Sequence, residues 1–276
     1  LEFRRVLFRS TVAWLKRAAA QDHANAQQLL GEKIASGEGV PKNNSEAIKW
    51  FRKAAESGSV AAQSNLGFMY ATGAGVEKNL TEAASWFRKS ADAGNAVGQL
   101  NLGLLFQSGQ GTEQNFPEAA KWYGKAALQG NEVAQYNLGL LYESGQGVPK
   151  DSAEAVRWIR MAADKGYGPA QNNLGAKYAA GDGVPKDIVE AHVWFNLAGV
   201  KGNAAAARNL SMIEKEMSGE QRSLAMDTAR KRFSGQPKAA AEAEKSAEAF
   251  IREHQQEVVR KFGAEGPYTK PIVSPT

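Results

Sequence analysis

Cysteine is absent from this sequence, and histidine occurs only three times. The first absence excludes disulfides and thiolate metal sites but leaves the compartment open, because many exported proteins also lack cysteine. His23, His192 and His254 stand far apart, too scattered for a metal centre or a nucleophile–base pair, and read as lone surface residues. No apolar run approaches the roughly 20 residues a membrane helix needs. Charge of one sign is scarce as well. The formal net charge is +5, yet residues 11–200 carry 18 Lys/Arg and 18 Asp/Glu, and the excess lies in Leu1–Ser10 and Lys201–Thr276. A neutral stretch of that length has no electrostatic footprint for phosphate backbones, so nucleic acid is not an expected partner. Methionine first occurs at Met69, and Phe3–Ser10 shares nothing with Gly39–Glu46, where the periodicity below would place its counterpart. Leu1–Ser10 is therefore read as a foreign or non-native segment joined to a repeat truncated at its N-terminus; a basic amphipathic arm is the alternative.

What is present is a period. Glycines at Gly31, Gly67, Gly103, Gly139 and Gly175 are 36 residues apart, and so are Trp14, Trp50, Trp86, Trp122, Trp158 and Trp194. A period of 20–50 residues marks a solenoid, whose units bury apolar surface only against their neighbours. Within one unit Ala62, Leu66 and Tyr70 share a helical face beside Gly67. Glycine inside a helix costs about 1 kcal/mol against alanine, and close helix–helix approach is the expected reason. Gly73 and Gly75 end that helix. A second helix opens at Asn79, with Glu82 three residues on completing an expected capping box; Asn43/Glu46, Asn115/Glu118, Asp151/Glu154 and Asp187/Glu190 repeat it. Ala83, Trp86, Phe87, Ser90 and Ala91 then form a wide apolar stripe that Gly94 stops. Each unit is an αα-hairpin, and the fold class is all-α: an α-solenoid of antiparallel helix pairs.

The pattern A-x-x-x-L-G-x-x-Y-x-x-G-x-G-V followed by A-x-x-W-F-x-x-A-A-x-x-G resembles the Sel1-like repeat, a relative of the tetratricopeptide repeat. The resemblance covers Thr11–Asn203. It implies a right-handed superhelix acting as a scaffold or adaptor in protein–protein interaction, commonly in bacteria, as a monomeric array. It implies no catalysis and no cofactor. Two alternatives stay open: β-lactam binding or hydrolysis, linked to cysteine-rich relatives, and RNA binding as in other helical repeats. The compartment is undetermined, periplasmic or secreted or cytoplasmic.

The expected organisation is the segment 1–10, the second helix of a truncated repeat at 11–23, five repeats over 24–203, and an atypical capping repeat at 204–235. An Ala/Glu/Lys-rich helix at 236–262 and a disordered tail at 263–276 follow. Ser218 and Gln221 supply a fresh capping box for a helix running to about Phe233. The 236–262 helix has three open fates: docking on the array, pairing with another chain, or remaining mobile. The end helix Thr11–Gln21, without its own partner helix, is expected to fray first.

Recurring carboxylates and the glycine turns, including Gly181–Lys186, read as caps and turns rather than acid/base pairs or phosphate loops. Recognition falls to positions the framework leaves free. Along the first helices these are Gln28/Glu32, Ser64/Phe68, Leu100/Leu104, Tyr136/Leu140 and Asn172/Ala176. The three middle pairs are mostly apolar and form a candidate partner-binding groove if they face the concave side; packing between adjacent first helices is the competing reading. Asn101 and Asn137 belong to a ladder, with Asn65, Asn173 and Asn209, that either clamps a peptide backbone or bonds between repeats. The candidate site is thus Ser64, Phe68, Leu100, Leu104, Tyr136, Leu140, Asn101 and Asn137.

Overall fold

The computed structural model of the chain describes residues 2–233, and every regular element among them is an α-helix. The expectations for 236–262 and 263–276 lie outside the described residues. The chain divides after Asn115 into two compact units. Unit 1 holds α1 (Glu2–Ala19), α2 (Ala24–Ser36), α3 (Asn44–Glu56), α4 (Val60–Thr72), α5 (Leu80–Asp92) and α6 (Ala96–Ser108). Unit 2 holds α7 (Phe116–Leu128), α8 (Glu132–Ser144), α9 (Ser152–Asp164), α10 (Gly168–Ala180), α11 (Ile188–Val200), α12 (Ala204–Ile213) and α13 (Gly219–Phe233). Consecutive helices pack on one another from α1 to α6 and from α7 to α12, as a solenoid of helix pairs requires, and α13 packs back on α11. The helix expected from Thr11 begins instead at Glu2, the first described residue.

The helix ends follow from their residues. Asn43, Asn79 and Asp151 each accept, on a side-chain oxygen, the amide of the glutamate three positions on. The other half of the expected capping box is absent there: the Asn43, Asn79 and Asp151 amides donate to the carbonyls of Ile34, Tyr70 and Tyr142 on the preceding helix. The turn is thereby pinned to its own hairpin, and the glutamate side chain is released for other contacts. Ser218 and Gln221 form the full reciprocal box, at 2.9 and 3.1 Å.

Gly73 closes α4 in the left-handed conformation at φ 75°, and Gly75, φ 78°, adds a steric demand. A Cβ on Gly75 would lie 2.4 Å from the carbonyl carbon of Asn44, so this turn rests directly on the start of α3, one hairpin back. Gly67 meets a ring rather than a backbone: its Cβ would stand 2.6 Å from Phe87. Close helix approach, the expected reason for the helical glycine, is refined accordingly, since the glycine makes room for the aromatic after the tryptophan. Gly175 does the same for Phe195, and Gly139 for Ile159.

Each unit has its own row of core leucines on the first helices of its hairpins. Leu30, Leu66 and Leu102 in unit 1 and Leu138 and Leu174 in unit 2 are fully buried, each burial contributing on the order of 1.5–3 kcal/mol. A polar row accompanies them. Gln27, Gln63 and Gln99, and Gln135 and Gln171, each donate through Nε2 to the carbonyl eight residues earlier, at 3.1–3.4 Å. These amides tie the last turn of one hairpin to the first helix of the next and satisfy carbonyls that a helix end leaves without an intrahelical donor.

Candidate functional site

The first helices of the hairpins, α2, α4 and α6 in unit 1 and α8, α10 and α12 in unit 2, carry the positions that do not repeat. In unit 1, Phe68 is 59% exposed and Leu104 38% exposed. They hold equivalent register positions on α4 and α6, two helices that touch. Val97, 50% exposed, lies seven residues before Leu104 and so on the same side of α6, with half-buried Leu100 between them. The result is an apolar strip on the outside of two neighbouring first helices, held by a buried inner row of Leu66, Met69, Leu102 and Leu105.

Ser64 stands apart from this strip. It is buried, its hydroxyl 2.6 Å from that of Ser90 and donating to Asn95 Oδ1 at 3.1 Å. Ser90 replaces the alanine of the other hairpins (Ala54, Ala126, Ala162, Ala198). Its added bulk is met at Gly98, where the register otherwise has Ala62, Ala134 or Ala170. A Cβ on Gly98 would lie 2.8 Å from Ser90. Ser64, Ser90 and Gly98 thus form one local substitution set between hairpins.

In unit 2 the corresponding residues are drawn inward. Tyr136 is half-buried and meets Tyr167 edge-on, ring centres 5.4 Å apart; Leu140 is half-buried. The asparagine row makes local and inter-hairpin bonds. Asn65 donates to Glu32 at 3.3 Å, Asn101 to the Val97 carbonyl at 2.8 Å, and Asn209 to Asn172 at 3.0 Å; Asn137 and Asn173 are half-buried.

Several polar residues were missed by the sequence reasoning. The glutamines recur at 36 residues, the same signal that revealed the glycines. Lys177 is buried in α10 where the register has Met69, Leu105 and Leu141, and pairs with Glu143 at 2.6 Å and Asp182 at 2.5 Å; the remaining counterpart, half-buried Lys33 of α2, pairs with Glu38 at 2.8 Å. The hydrogen bond from Lys177, then that of Ser152, holds the Asp182 carboxyl below the usual range. His192, expected at the surface, is fully buried and 3.1 Å from Glu214. Glu118 and Glu190, one turn before their tryptophans, accept the indole N–H of Trp122 and Trp194 at 3.0 and 3.1 Å. Among the described residues no group of three or more His, Asp or Glu side chains could hold a metal ion, and no helix is long and apolar enough to cross a membrane.

With this geometry in hand, comparison with known proteins is specific. The Sel1 repeat model matches six times, at residues 9–23, 24–59, 60–95, 96–131, 133–167 and 168–203. The chain is similar to a protective antigen of uropathogenic Escherichia coli strains displaying an SLR fold, with 34% identity and TM-score 0.72 over 90% of this chain. It spans half the length of that antigen (50%). It is also similar to a Sel1 repeat protein from Oxalobacter formigenes, at 38% identity and TM-score 0.67, over 79% of this chain and 89% of the other. No curated protein matches. The six in-phase matches and the hairpin geometry agree: the chain belongs to the Sel1 repeat family.

Proposed function

We propose that the chain is a non-catalytic adaptor that binds a protein partner on the outward faces of its first helices. Sel1 repeats are generally protein-interaction modules. The carrying observation is the pair Phe68 and Leu104, large apolar side chains left open at equivalent positions of touching helices. Recurring residues of the repeat have folding tasks as caps, turns, spacers or core, so an exposed aromatic that the repeat does not require is not explained by the fold. An amphipathic helix or extended apolar segment suits such a strip, with Phe68 as its anchor. Leu100 and Leu104 flank that anchor on α6. Tyr136, Leu140, Asn101 and Asn137 are the further candidate contacts.

The test is a pull-down from the producing cells with the wild type and with Phe68→Glu/Leu104→Glu. The expected result is a protein retained by the first and lost by the second, with helical circular dichroism unchanged. Equal retention, or unfolding of the double variant, sinks the assignment. A Tyr136→Ala/Leu140→Ala variant then reports whether unit 2 takes part.

A further inference from the structure

Hairpins three repeats apart can be compared residue by residue. In unit 2, Arg232 from the last turn of α13 reaches α11. Its guanidinium donates to both oxygens of Glu190, at 2.8 and 2.5 Å, and lies 5.6 Å from the centre of the Trp194 ring. The Glu190 hydrogen bonds hold its pKa above the ordinary value against the cost of desolvation, and Asp164 and Tyr178 add to them. Beside it Arg160 donates to the Tyr178 hydroxyl and lies over that ring at 5.3 Å. A planar fork on a carboxylate with an aromatic face alongside is a recognition geometry that arginine fills and lysine does not.

Unit 1 holds the same cradle without the arginine. Arg52, Glu56, Tyr70, Glu82 and Trp86 are the register counterparts of Arg160, Asp164, Tyr178, Glu190 and Trp194. They line a cleft of about 630 Å³. Arg52 donates to the Tyr70 hydroxyl at 2.6 Å, as Arg160 does to Tyr178. Lys78 also lines the cleft, as does Glu77, so its carboxylates outnumber its cations by one. Among the described residues no side chain bonds the Glu82 carboxylate. Lys89, which stands where the α11 hairpin has Leu197, rests over the Trp86 ring at 3.9 Å. It is exposed and on a flexible stem.

We propose that the cleft lined by Glu82 and Trp86 binds an arginine side chain of a partner protein, presented from the end of a helix as α13 presents Arg232. The guanidinium forks onto Glu82, displaces Lys89 from Trp86, and has Glu56 and the Tyr70 hydroxyl beside it. Phe68 and Leu104 do not line this cleft, so the proposal stands or falls separately from the first-helix reading.

The test uses the full chain and a fluorescent peptide of residues 219–233, titrated by anisotropy. Saturable binding is expected, weakened about tenfold by Glu82→Gln in the protein or by Arg232→Lys in the peptide, the loss of about 1.4 kcal/mol from one charge-assisted pair. Lys89→Leu, which copies Leu197 of the α11 hairpin, tightens binding, and Phe68→Glu leaves it unchanged. Glu190→Gln separates the two cradles: binding that depends on Glu190 and not Glu82 is exchange with the chain's own α13 and overturns the proposal. Absence of saturable binding to both the wild type and Lys89→Leu also overturns it.

Discussion

Trp86 in unit 1 and Trp194 in unit 2 hold the same place in their hairpins, yet Trp194 is 1% exposed and Trp86 half-buried. The difference extends beyond one residue. Trp122 and Trp158 are buried as well, and Trp50 is half-buried. In unit 2 several side chains are tied up internally: Glu190 by Trp194 and Arg232, Lys177 by Glu143 and Asp182, Tyr136 by Tyr167. In unit 1 the counterpart Glu82 is exposed and Trp86 half-buried, while Met69 and Leu105, the counterparts of Lys177, are buried. Identical caps, turns and buried leucines therefore support two surfaces of different character, one closed by a terminal helix and one open.

The sharpest way to break this comparison is to remove the tryptophans singly. Trp194→Ala deletes a buried indole, its bond to Glu190 and the ring beneath Arg232, and should cost about 3–5 kcal/mol. Trp86→Ala should cost roughly 1–2 kcal/mol, because much of the ring already meets water. Urea unfolding monitored by hydrogen exchange in each unit separates the two losses. Equal losses would mean that the exposure difference has no energetic counterpart.

The turns should behave oppositely, with the same cost in both units. Gly75→Ala brings a Cβ to 2.4 Å from the Asn44 carbonyl carbon, and Gly183→Ala to 2.2 Å from the Ser152 carbonyl oxygen, both at positive φ. The left-handed conformation costs about 1–2 kcal/mol and the backbone collision about as much again, so each variant should lose about 2–4 kcal/mol. Gly58→Ala, at φ 88° with nothing within 4 Å, isolates the conformational part and should lose about 1 kcal/mol. A Gly75→Ala melting temperature close to that of Gly58→Ala would show that the contact between turn and preceding hairpin yields easily.

How much of this was legible in the sequence follows from what repeats. Asn79, Gly73 and Leu66 were readable because each acts inside its own hairpin, at a spacing set by the helix. Gln63 and its counterparts were equally periodic, but glutamine has no local task that flags it; its partner is the end of the previous hairpin. Ser64 looked like a free position because the sequence does not show that Ser90 and Gly98 complement it. The capping-box glutamates kept their place but not their return bond, since the N-cap amide found a carbonyl on the preceding helix. Arg232 was beyond reach for a physical reason: it comes from the part of the chain that does not repeat, and only a fold brings α13 to α11.

The smallest expected effect concerns Lys177, an ion-paired core position where α4, α6 and α8 carry Met69, Leu105 and Leu141 and α2 carries Lys33, ion-paired to Glu38. A buried cation with two partners regains in pairing about what it loses in desolvation, and an apolar side chain of similar volume often does as well or better. Lys177→Met, which copies Met69, should therefore lie within about 1 kcal/mol of the wild type, on the stable side, at neutral pH. The two proteins should part in acid. Asp182 is held below its ordinary pKa of 3.8, chiefly by its hydrogen bond from Lys177. A depressed carboxylate stabilises the fold above its unfolded pKa, and that contribution fades as pH falls through the lower folded value. The wild type should thus lose more stability than Lys177→Met between pH 5 and the acid limit of reversible unfolding, approximate bounds set by the ordinary aspartate range. Parallel acid profiles would show that the pair, though close, is screened by water around the half-exposed Asp182 carboxylate, and that the buried ammonium is held mainly by Glu143.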